Sequence, residues 1–88
     1  FGGDEFCLVF PHVGAAGAAA CVERIRSALA ERVFGKDERN PFSLTATFGI
    51  AQLDAARPDA RPLLEAADQA LYRAKEAGRN RVMVAGAA

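Results

Sequence analysis

Asp59-Ala60-Arg61-Pro62-Leu63-Leu64-Glu65-Ala66-Ala67-Asp68-Gln69-Ala70-Leu71-Tyr72-Arg73-Ala74-Lys75-Glu76-Ala77-Gly78 runs directly into Arg79-Asn80-Arg81-Val82-Met83-Val84. Leu64, Ala67, Leu71 and Ala74 recur at spacings of three, four and three, the period of one helix face. Asp59 is an N-cap type and Pro62 suits an early helical position. Gly78 follows the last apolar repeat as a C′ residue, with Arg73 and Lys75 in the closing turns, where cations suit the helix dipole. The spacing therefore predicts a helix from about Asp59 to Ala77 and a short strand over Arg81–Val84. Working backwards, Ser43–Ile50 alternates Leu44, Ala46, Phe48 and Ile50 with Ser43, Thr45, Thr47 and Gly49. Period two predicts a strand with one buried face, and Gly49 within it marks a bulge or a close approach by another backbone.

The rest of the chain fits around this unit. Ala18, Val22, Ile25 and Leu29 form another helical stripe, predicting a helix from about Ala18 to Arg32 after a linker at Val13–Gly17. Phe34–Pro41, with Lys36-Asp37-Glu38-Arg39-Asn40, reads as a polar loop or irregular hairpin tip, and Asp54–Pro58 as a second loop. Near the start, Glu5-Phe6-Cys7-Leu8-Val9-Phe10 is an apolar run closed by Pro11, the pattern of a strand buried on both faces. Phe1-Gly2-Gly3-Asp4 before it is a turn that usually closes a hairpin, so a partner strand is expected upstream. The predicted order is strand–helix–strand–helix–strand.

Composition narrows the function. The 88 residues carry 11 Lys+Arg against 11 Asp+Glu, a formal net charge of +0. No basic face stands out for generic binding to nucleic acid. No run of about 18 apolar residues offers a membrane span, and no signal-peptide pattern is present. Twenty alanines against six Phe and no Trp leave the core to a few Phe, Leu, Ile and Val. Cys7 and Cys21 sit in apolar patterns, as buried free thiols of a reducing compartment do. The expected location is cytoplasmic.

Two clusters stand out as chemistry. Gly2 and Gly3 let a backbone lie close to a ligand, and Asp4 and Glu5 follow at a strand start. One carboxylate could hold Mg²⁺, which takes one or two protein carboxylates and keeps phosphate oxygens and waters; the other could accept a proton from a hydroxyl. Solvated acids in a polar hairpin turn explain the same residues. Asp68, Tyr72, Lys75 and Arg79 fall on one helical stripe, so that Lys75 and Arg79 could grip one polyphosphate. Cations that merely suit a helix C-terminus would look alike.

Phe1-Gly2-Gly3-Asp4-Glu5-Phe6 resembles the signature of the diguanylate cyclase family, the GGDEF domain. Thr45-Ala46-Thr47-Phe48-Gly49-Ile50-Ala51 is similar to the family's middle strand, with Thr47 where Ser is usual. Ala67-Asp68-Gln69-Ala70-Leu71-Tyr72-Arg73-Ala74-Lys75, with Gly78-Arg79-Asn80-Arg81-Val82, resembles its last helix and strand. The resemblance implies an α/β (α+β) fold, with a ferredoxin-like, nucleotidyl-cyclase palm-like sheet and helices. It makes residues 1–88 the C-terminal part of one such domain, of order β-α-β-α-β.

The resemblance also implies roles. Gly2 and Gly3 would lie against GTP; Asp4 would bind Mg²⁺ (or Mn²⁺); Glu5 would be the base toward a ribose 3′-hydroxyl and a second metal contact. Lys75 and Arg79 would hold the triphosphate, and Asp68 and Tyr72 would pack or brace the last helix. Arg24 matches a helix position that some members use as a secondary product-binding site. The family condenses two GTP into cyclic di-GMP, releasing pyrophosphate, with two GGDEF domains face to face as a homodimer. A first strand with its own metal-binding acid, the guanine-recognising residues and an inhibitory Arg-x-x-Asp motif are expected upstream of residue 1. The 88 residues alone are accordingly expected to be inactive. Two rivals remain at this point: a catalytically silent module that binds GTP or cyclic di-GMP, and a ferredoxin-like RNA-binding domain. The second is disfavoured by neutral charge and by the lack of aromatics on a strand face.

Overall fold

The structure, a computed structural model, describes residues 13–53 and 59–86. The elements run α1 (Ala15–Glu31), β1 (Val33–Phe34), β2 (Phe42–Ser43), β3 (Phe48–Ile50), α2 (Ala60–Glu76) and β4 (Val82–Val84). The apolar strand expected near the start and the loop expected at Asp54–Pro58 lie outside the described residues.

β3 and β4 pair in parallel, with Phe48 opposite Val82, Gly49 opposite Met83 and Ile50 opposite Val84. Parallel neighbours need a crossover, and α2 supplies it, packing on both strands. Gly49 explains how closely it packs. A Cβ there would fall inside the Ala67 carbonyl oxygen and the Leu71 backbone, with Leu71 Cα only 2.8 Å away. Of the two expectations for Gly49, close approach is the one observed. α1 packs against β3 and β4 as well.

Two expectations are corrected. The strand read over Ser43–Ile50 is two strands: β2 pairs antiparallel with β1, and residues 44–47 are irregular. Leu44 is accordingly 47% exposed, because the alternation is interrupted before it reaches the sheet. The hairpin tip expected at 34–41 is present between β1 and β2; Phe34 and Phe42 stack across it at 5.6 Å, with the Arg32 guanidinium over the Phe34 ring.

The helix read from Ala18 starts at Ala15. Its first turn is not capped by its own sequence: the Ala15 N–H donates to Gln52 Oε1 at 3.0 Å, from the segment after β3. Among the described residues the buried apolar positions are Ala18, Val22, Ala70 and Ala74, while Ile25 stays half-exposed. Three of these four are alanines, and Val22 is of the expected larger type. Where a helix backbone sits directly on a glycine in a strand, only small neighbours fit the gap.

Candidate anion site at the end of α2

α2 begins as its sequence demands. Asp59 takes the N-cap position and its Oδ1 accepts from the Arg61 N–H at 3.1 Å. Arg73 and Lys75 occupy the last turn, where their charge opposes the partial negative charge of the unpaired carbonyls. The helix then stops in a Schellman turn. The Gly78 N–H donates to the Lys75 carbonyl at 3.2 Å and the Arg79 N–H to the Ala74 carbonyl at 3.0 Å. Gly78 adopts φ +123°, open to glycine and strained for any other residue.

Arg79 and Asn80 continue with positive φ, at 63° and 48°. Left-handed backbone costs a residue with a Cβ roughly 1–2 kcal/mol, less for Asn, so the surroundings must hold this turn. They do so from three sides. The Arg79 carbonyl accepts from Arg81 Nε at 3.0 Å. The Asn80 N–H donates to Thr47 Oγ1 at 2.9 Å, just ahead of β3. Asn80 Oδ1 accepts from Arg26 Nη1 of α1 at 2.8 Å. Arg26 is itself oriented by Glu23, one turn earlier on α1, with its Nε donating to Glu23 Oε2 at 2.8 Å and its Nη2 to Oε1. That bond, and the guanidinium charge behind it, hold the Glu23 carboxyl below its ordinary range.

The site residues expected from sequence fall into four groups. Lys75 is half-buried on α2, and Arg79 is exposed in the turn beyond it. Arg79 is therefore not on the helical stripe with Asp68, Tyr72 and Lys75, because α2 ends at Glu76 and the chain changes direction at Gly78. Tyr72 is 63% exposed and Asp68 is exposed, so neither is packed as expected; both lie on the outer face of α2, away from buried Ala70 and Ala74. Arg24 is exposed on α1. Gly2, Gly3, Asp4 and Glu5 lie outside the described residues. Among the described residues no three His, Cys, Asp or Glu side chains gather as a metal site, and no helix is long and apolar enough to cross a membrane.

Sequence reasoning missed Glu23, Arg26 and Asn80 as a connected set. One signal was available: Asn directly after Gly-Arg at a helix end is the residue best suited to a left-handed position. The Thr47 hydroxyl now has a role, and a Ser at that position would supply the same acceptor.

A parallel β-α-β unit, with Lys75 in the last turn of its helix and Arg79 in a following turn bonded to Thr47 and to α1, defines an α+β domain. Comparison with known proteins gives the class. The family model described as "Diguanylate cyclase, GGDEF domain" matches residues 1–81. The chain belongs to the diguanylate cyclase GGDEF family. It is 34% identical over 82 residues to Diguanylate cyclase A of Treponema denticola, covering 93% of this chain and 22% of that protein. It is 39% identical over 85 residues to Diguanylate cyclase DgcP of Pseudomonas aeruginosa, covering 97% of this chain and 12% of the relative.

Among solved structures it superposes on the GGDEF domain of DgcB from Caulobacter crescentus, a complex with c-di-GMP. The TM-score is 0.79 at 31% identity, covering 89% of this chain and 45% of that one. The active GGEEF domain of a diguanylate cyclase from Vibrio cholerae gives a TM-score of 0.65 at 28% identity, covering 84% of this chain and 46% of that one. The chain thus spans less than a quarter of these two curated relatives and under half of each solved structure. The fold is the α+β arrangement with a palm-like sheet that the sequence led us to expect.

Proposed function

We propose that this chain contributes the signature residues Phe1–Phe6 and the phosphate-binding helix end of a diguanylate cyclase, which condenses two GTP into cyclic di-GMP. The observation that carries the reading is the end of α2. Lys75 is half-buried in the last turn, and Arg79 projects from a turn whose backbone is bonded on every side. Two cations set there suit a triphosphate.

Asp4 and Glu5 offer hard carboxylate oxygens of the kind Mg²⁺ (or Mn²⁺) accepts, in a number that leaves room for phosphate oxygens and water. When bound, the ion would neutralise phosphate charge. The chain's own residues do the rest. Gly2 and Gly3 let the backbone lie against the nucleotide. Glu5 takes the proton of the ribose 3′-hydroxyl as its oxygen bonds to the α-phosphorus of the second GTP, and the bond to the departing pyrophosphate breaks. Lys75 and Arg79 hold the β- and γ-phosphates so that attack and departure stay in line. A second such domain presents the other GTP, so the working unit is a homodimer. GTP as substrate places the domain in the cytoplasm. Arg24 is the candidate contact for product bound away from the catalytic site.

Since the matched GGDEF structures extend well beyond the region shared with this chain, residues 1–88 alone are expected to make no product. The test uses the full-length protein with GTP and Mg²⁺, read by mass spectrometry. Cyclic di-GMP from the native protein and none from Glu5→Gln supports the reading. GTP bound without product replaces it with a silent binding module.

A further inference from the structure

We infer that Asn80 is a positioning residue for Arg79, and that Arg26 of α1 holds Asn80 in place, so that α1 helps set the phosphate grip at the end of α2. The inference rests on the proposed role of Arg79. Both peptide groups flanking the Arg79 Cα are fixed: its N–H by the Ala74 carbonyl, its carbonyl by Arg81 Nε, and the next N–H by Thr47 Oγ1. The side chain, by contrast, is exposed, and among the described residues it makes no ion pair. A pinned backbone under an uncommitted cation is what a preorganised anion contact requires.

Asn80 is the shared member of this arrangement, because its N–H meets Thr47, just ahead of β3, while its Oδ1 meets Arg26 of α1. A guanidinium only donates, so the Asn80 oxygen must face Arg26. Arg26 spends its other nitrogens on Glu23, and its side chain is only 19% exposed. Its position is therefore dictated by α1. Three planar donors at fixed angles make this connection, which a lysine could not reproduce.

The test uses the full-length protein, with inorganic tripolyphosphate binding by calorimetry beside KM and kcat for GTP. Asn80→Gly keeps the left-handed backbone but deletes the acceptor, and Arg26→Gln deletes the donor fork. Each is expected to weaken tripolyphosphate binding and raise KM by roughly three- to tenfold, the range of one charge-assisted hydrogen bond acting indirectly, with kcat nearly unchanged. Asn80→Asp, which keeps an oxygen for Arg26, restores most of the affinity. With Arg79→Ala already present, Asn80→Gly has no further effect.

Unchanged affinity in Asn80→Gly overturns the inference, as does an equal loss in the Arg79→Ala background. A native protein that binds no tripolyphosphate overturns it together with the role of Arg79. Native protein that makes no cyclic di-GMP but shows the tripolyphosphate effects defeats the cyclase reading and supports the positioning role.

Discussion

α1 and α2 are both 17-residue helices, yet they are delimited by different means. α2 carries its own boundaries: Asp59 caps one end, and Arg73, Lys75 and Gly78 close the other. α1 has Gly14 at its N-cap with no side-chain bond, no acid in its first turn and no base in its last. Its first N–H is satisfied by Gln52, and its Arg26 reaches Asn80. One helix is specified locally and the other by its neighbours. The helix that carries the proposed phosphate contacts is the locally specified one, and the neighbour-specified helix is tied to its end.

The contrast can be broken most severely at Gly49. Gly49→Ala pushes a methyl into the Ala67 carbonyl and the Leu71 backbone, and should destabilise the domain by about 3 kcal/mol or more in chemical denaturation. Because α2 sits directly on this position, its amides should lose exchange protection before those of α1. Gly78→Ala comes next. Forcing a Cβ to φ +123° should cost about 2 kcal/mol and lengthen or disorder the turn carrying Arg79, visible as both a lower melting temperature and weaker GTP binding.

The caps sharpen the comparison directly. Asp59→Ala should cost about 1 kcal/mol. Gln52→Ala removes one bond from outside the helix and should cost about 0.5–1 kcal/mol, with faster exchange confined to the first turn of α1. If both variants loosened the same helix, the distinction would fail.

The smallest effect is electrostatic. Arg26 lowers the Glu23 carboxyl from its ordinary value of 4.5, so the pair's contribution is complete above that value. It fades as pH falls through the lowered folded-state value, when the carboxylate takes up its proton. In Glu23→Gln that part of the acid dependence should be absent, as a pH series of melting temperatures would record.

Legibility followed the same division. The span of α2, its N-cap and its C′ glycine were readable because each signal lies within a few residues of the boundary it sets. The start of α1 was missed by three residues because Val13–Gly17 reads as a linker, and the group that caps it is 37 positions away. The unit at 43–50 was read as one strand because its alternation is regular; pairing of Phe42–Ser43 with Val33–Phe34 divides it. Lys75 and Arg79 were found as a pair from spacing, but Arg79's place in a left-handed turn came from Gly78, which ends the stripe before reaching it. Asn80 and Arg26 carry no motif of their own. Only the fold brings residues 54 apart in sequence to 2.8 Å.

In the proposed function, the end of α2 grips the triphosphate while Glu5 accepts the proton. The most direct measurement is the rate of cyclic di-GMP formation by the full-length protein across a GTP series, for native, Glu5→Gln and Arg79→Ala forms. The account predicts product from the native protein, loss of kcat with GTP still bound in Glu5→Gln, and a raised KM in Arg79→Ala. Native protein that binds GTP without turnover, or Glu5→Gln that turns over at the native rate, would contradict it.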